Sequence, residues 1–142
     1  MRRVAMHIGL LTLLSTAQAD MTLSLDSLSA DGLEVRALSC TLKQGGLLAS
    51  AMVVGALAAQ KSVFDACAPE GGAFRLSWSW EGATTVQQVS GGSPTQQECI
   101  TAALQVVSPP TLGHCSAILL AGSPAEAAAA AEALQRDPAA QP

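Results

Sequence analysis

Phe74-Arg75-Leu76-Ser77-Trp78-Ser79-Trp80 places its apolar side chains at even positions and its polar ones at odd positions. A period of two over seven residues marks a strand with one face buried and the other in water. Phe74, Leu76, Trp78 and Trp80 are therefore expected to line the core. Phe74, Trp78 and Trp80 are, with Phe64, all the aromatic residues of the chain, which has no tyrosine. The rest of the core must come from Ala, Val and Leu, which bury less surface per side chain.

Working downstream, Glu81-Gly82-Ala83 is short enough to close a hairpin, and Thr84 to Val89 reads as a more polar returning strand. The loop Ser90-Gly91-Gly92-Ser93-Pro94 leads into a helix over Thr95 to Val106. Thr95 is expected to cap it, with Glu98 as the reciprocal half of a capping box, and Cys99, Ile100, Ala103 and Leu104 as the inner stripe. Pro109, Pro110 and Gly113 interrupt the chain before Cys115 to Ala121, an apolar run that reads as a final buried strand. Upstream, Leu47 to Cys67 is Ala-rich, free of proline, and carries Leu48, Met52, Val53, Leu57 and Phe64 at helical spacing. Its length and its Gly, Ser and Gln content favour a buried helix over a membrane span. Leu33 to Leu42 suits a strand with one irregularity.

The ends define the remaining parts. Arg2 and Arg3, an apolar run to Leu14 and Ala17-Gln18-Ala19 make residues 1–19 a secretory signal peptide with cleavage before Asp20. No cysteine sits at that point to take a lipid, and no membrane span is expected after cleavage. Residues 20–32 are a polar lead-in with room to add an edge strand. Residues 33–122 form the domain proper, and 123–142 an Ala-rich tail, expected to be a weakly docked short helix or free. Residues 20–142 carry five basic against eleven acidic side chains, a net charge of −6. That balance excludes nucleic acid and anionic lipid as expected partners.

Cys40, Cys67, Cys99 and Cys115 all lie beyond the signal, and an even count in an exported chain points to two disulfides in one of three pairings. A zinc site is disfavoured because no C-x2-C pair exists and His114 is the only histidine beyond the signal. The order strand, helix, strand, strand, helix, strand is the ferredoxin-like split β-α-β arrangement. This predicts an α+β two-layer sandwich, with two helices on one face of a four-stranded antiparallel sheet and the first and last strands adjacent. Cys40 then meets Cys115 where those strands join, and Cys67, closing the first helix, meets Cys99, opening the second.

The stretch Cys67 to Leu120 resembles the C-terminal domains of the TonB and AgmX/PglI type. The matching features are a helix with Cys67, Gly72, the alternating strand to Trp80, Gly82, Val86 and Val89. They continue with Cys99-Ile100 and Ala103-Leu104 on a second helix, Pro109, and Ala117 to Leu120. The resemblance implies a periplasmic interaction domain of the cell envelope, with another envelope protein as partner.

Chemistry is sparse. His114 has no orienting neighbour in sequence, no G-x-S-x-G elbow surrounds a serine, and the glycine pairs lack the lysine of a phosphate loop. Asp65 and Glu70 read as solvated carboxylates at a helix end. No catalytic residue, cofactor or metal is expected. The expectation is an exported, non-enzymatic interaction module, periplasmic or secreted, binding through an exposed sheet edge. The alternatives are a thiol-active redox protein using Cys67 and Cys99, with Cys99 activated in the first turn of its helix, and a secreted effector or inhibitor.

Overall fold

A computed structural model describes residues 21–43, 46–81, 83–107 and 113–137. The expected signal peptide, Pro109 and Pro110, and the end of the tail lie outside the described residues. The elements are β1 (Met21–Ala30), β2 (Leu33–Leu42), α1 (Gly46–Ala58), α2 (Lys61–Cys67), β3 (Gly72–Glu81), β4 (Ala83–Ser90), α3 (Pro94–Gln105), β5 (Gly113–Ala121) and α4 (Pro124–Arg136). The class is α+β, with an antiparallel sheet ordered β1-β2-β5-β3-β4.

Two expectations about the sheet are corrected. It has five strands among the described residues, because the polar lead-in forms a full ten-residue strand, β1. Asp31 and Gly32, both at positive φ (50° and 81°), close a two-residue hairpin into β2, as an Asp-Gly pair does in a type I′ turn. The strands also do not follow the split β-α-β expectation throughout. The first and last strands of the expected set, β2 and β5, are neighbours, yet β5 lies between β2 and β3. The irregularity expected in Leu33–Leu42 is a bulge between Arg36 and Ser39, with Ala37 at φ 49°.

The main core lies on one face of the sheet. Phe74, Leu76, Trp78 and Trp80 of β3 meet Val35, Leu38 and Leu42 of β2 and Leu119 of β5. α1, α2 and α3 cover them with Val53, Leu57, Phe64, Ile100 and Leu104. The single helix expected over 47–67 is two helices, broken at Ala59 and Gln60. There the Gln60 N–H bonds the Leu57 carbonyl at 3.0 Å, a tighter spacing than the α-helical one. The break redirects the chain so that α2 as well as α1 reaches the core.

The opposite face is covered as well, which corrects the expectation of helices on one face only and of a loose tail. Ala127 and Ala131 of α4 are buried against Ala73, Ile118 and Leu120. Alanines let the helix approach the sheet closely, and Arg75 Nη2 on β3 donates to the Leu134 carbonyl at 2.8 Å. Pro124 stands at the first helical turn, where its missing N–H costs nothing. β5 is consequently buried on both faces over its second half, which explains its continuous apolar run. No helix among the described residues is long and apolar enough to cross a membrane.

Candidate functional site

The strand order leaves β4 at one edge, bonded to β3 on one side only. Ala83 to Ser90 contains no charged residue and no proline, so the usual obstacles to pairing with another strand are missing from it. Val86 and Val89 are partly buried against the core, while Thr85 and Gln87 point outward. Gln87 marks a register shift, and its amide lies on the far face, accepting from the Ser77 hydroxyl and donating to Ser79 Oγ, each at 3.2 Å.

α3 forms a wall beside this edge, and its local sequence fixes it there. The helix is capped by Ser93, whose hydroxyl accepts from the Gln96 N–H at 3.2 Å while Gln96 Oε1 accepts from the Ser93 N–H at 2.9 Å. The capping box thus exists two residues before the one expected at Thr95 and Glu98, because Pro94 takes the first helical position. Gln97 Nε2 donates to the Gly91 carbonyl at 3.0 Å, tying the first turns of α3 to the loop after β4, and Thr84 Oγ1 donates to the Val107 carbonyl at 2.5 Å, tying β4 to the segment that follows α3. Between strand and helix runs a shallow groove of about 460 Å³ lined by Val86, Gln88, Val89, Gln97, Glu98 and Thr101. It offers apolar floor, amide and hydroxyl donors and acceptors, and one carboxylate.

A second depression of about 520 Å³ lies on the opposite face of the sheet, beside Thr41, Lys43, Ser79, Glu81, Gln87 and His114. β5 carries His114, exposed, between Thr41 of β2 and Ser79 of β3 in the register. Glu81 accepts from Lys43 Nζ at 2.7 Å, and that hydrogen bond together with the lysine charge holds its carboxyl below the ordinary range. A hydroxyl, an imidazole and a carboxylate are neighbours here, but the carboxylate is committed to Lys43 and no hydrogen bond joins Ser79 to His114 among the described residues. The geometry of an activated nucleophile is not assembled.

The cysteines close two disulfides. Cys40 and Cys115 are direct cross-strand partners on β2 and β5, with Cα atoms 4.1 Å apart, and both are buried. Cys67 ends α2 and bonds Cys99, with Cα atoms 5.6 Å apart. Cys99 falls in the second turn of α3 rather than the first, one residue short of the inward-facing Ile100, and is half-buried. Trp78 and Trp80 stack with ring centroids 6.4 Å apart inside the core, so they offer no surface platform. Asp65 is not simply solvated: it accepts from the Gly122 N–H and from Lys61. Glu70 is exposed in the turn after α2. Among the described residues no three His, Cys, Asp or Glu side chains group as metal ligands.

No family model, no curated protein and no solved structure matches this chain.

Proposed function

We propose that the chain is an exported, non-enzymatic interaction module that accepts an extended segment of another envelope protein at the free edge of β4. The observation carrying this reading is the uncharged, proline-free edge lying beside a groove walled by α3. Main-chain groups on such an edge supply affinity, and the groove supplies selectivity for alternate side chains of the added strand. Val86 and Val89 would meet apolar side chains, and Glu98 would favour a basic residue in the incoming segment.

Two further features support the rest of the reading. Disulfides persist in oxidising compartments, so a pair of them fits the periplasm or the extracellular medium, and the amino-terminal signal pattern fits the same destination. The sequence pattern from Cys67 to Leu120 resembles TonB and AgmX/PglI-type C-terminal domains. That likeness favours an envelope interaction role.

A displayed library of random decapeptides, selected against the purified disulfide-closed chain, tests the proposal. Binders should be extended, alternately apolar sequences, and their binding should be weakened at least about tenfold with V86T and V89T while both variants keep the wild-type circular dichroism spectrum and both disulfides. Selection of no binder, or of binders indifferent to both substitutions, would overturn it.

A further inference from the structure

α4 covers only the part of the far sheet face where Ala73, Ile118 and Leu120 lie. Toward the other end of β3 and β5 that face stays open. Two successive rungs cross it: Ser39 of β2, Ser116 of β5 and Ser77 of β3 form one, and Thr41, His114 and Ser79 form the next. Neither rung carries a carboxylate, an ammonium or a guanidinium. Exposed positions are where Lys, Glu, Arg and Asp ordinarily accumulate, so two neighbouring rungs without one depart from the usual solvated face.

The second rung opens into the depression of about 520 Å³, a volume within the range of small-molecule sites. Local contacts set its polar groups. The Gln87 amide reaches over both rungs, accepting from the Ser77 hydroxyl and donating to Ser79 Oγ, each at 3.2 Å. Ser79 therefore keeps its own proton to donate, and Gln87 keeps a second N–H. Thr41 adds a hydroxyl and His114 an imidazole. The two charges at the rim, Lys43 and Glu81, cancel in an ion pair at 2.7 Å.

We propose that this depression binds a neutral saccharide, whose hydroxyls exchange hydrogen bonds with Ser79, Gln87, Thr41 and His114. The proposal does not depend on what β4 binds. The lining has no wholly apolar side chain, so a lipid tail or an apolar peptide side chain would gain little there. The paired charges leave no net attraction for a phosphate or a sulfate, and the net charge of −6 on residues 20–142 repels anions generally. A neutral ligand dense in hydroxyls, each able to donate and accept, complements what remains. From Thr41 on β2 to Gln87 on β4 the site crosses four strands, roughly 14 Å at the ordinary strand spacing. That length suits a short chain of sugar rings better than a single one.

Amide NMR of the disulfide-closed chain, titrated with maltotriose, cellotriose and triacetylchitotriose, tests this, with trigalacturonate as the anionic counterpart. At least one neutral trisaccharide should shift the amides of Thr41, Ser79, Gln87 and His114, with a dissociation constant of about 0.1–10 mM. Trigalacturonate should bind at least about tenfold more weakly. Gln87→Ala and His114→Ala should each weaken binding about threefold to tenfold. Both side chains are exposed, so both variants should keep the wild-type circular dichroism spectrum. No shift with any neutral trisaccharide at about 20 mM, shifts confined to other parts of the molecule, trigalacturonate binding as tightly, or binding that neither variant weakens would each overturn the proposal.

Discussion

The Asp65 carboxylate on α2 accepts the backbone N–H of Gly122 at 2.9 Å, joining the helix to the corner between β5 and α4. Gly122 sits at φ +74°, and a Cβ built there would stand 1.9 Å from the Ala68 carbonyl oxygen. Both the backbone conformation and the close approach require glycine. Gly122→Ala should cost more than about 2 kcal/mol of stability, read as a lower urea midpoint.

Asp65 also makes stability depend on pH. Burial raises its carboxyl, but the Lys61 hydrogen bond, the Gly122 N–H and the Lys61 charge outweigh it, and the net shift is below the ordinary value of 3.8. A depressed folded-state value means the contribution is present above 3.8 and is lost as pH falls through the lower folded-state value. Asp65→Asn should cost about 1 kcal/mol at neutral pH. Urea midpoints of variant and wild type should converge in acid.

The disulfides differ in accessibility. Cys40 and Cys115 are 1% and 0% exposed, whereas Cys99 is half-buried. A mild dithiol applied to the folded protein should open Cys67–Cys99 first and leave Cys40–Cys115 closed until global unfolding. Alkylation followed by peptide mass mapping reads the order. From sequence separations of 32 and 75, removing the bonds as paired alanines should cost roughly 3.7 and 4.5 kcal/mol in the chain-entropy picture.

Trp78 is fully buried, and its indole N–H has no hydrogen-bond partner, so its value to the fold lies in packing rather than in its polar atom. Trp78→Ala should destabilise by about 3–5 kcal/mol. Trp78→Phe removes the unpartnered donor along with some volume, and should cost well under half of that by chemical denaturation.

What the sequence discloses is local. The alternation from Phe74 to Trp80 translates directly into burial, and placing strands β2 and β5 side by side is enough to bring Cys40 to Cys115. β1 is harder to see because the parity change at Asp26 and Ser27 defeats a period-two reading, although Asp31-Gly32 between Leu-containing segments carries a hairpin signal. α4 is underestimated because alanine is a weak core residue by itself. Its docking depends on the second apolar face of the sheet, which Ile118 and Leu120 announce only once β5 is known to be central. The β4 groove depends wholly on strand order, a long-range property that no local pattern encodes.

β4 is proposed to receive an added strand beside α3. Amide hydrogen exchange of the disulfide-closed chain, with and without a library-selected decapeptide, tests it most directly. New protection is expected at alternate amides of Ala83–Ser90, with smaller changes around Gln97 and Thr101. Protection elsewhere on the sheet, with the β4 amides exchanging as in the free protein, would contradict it.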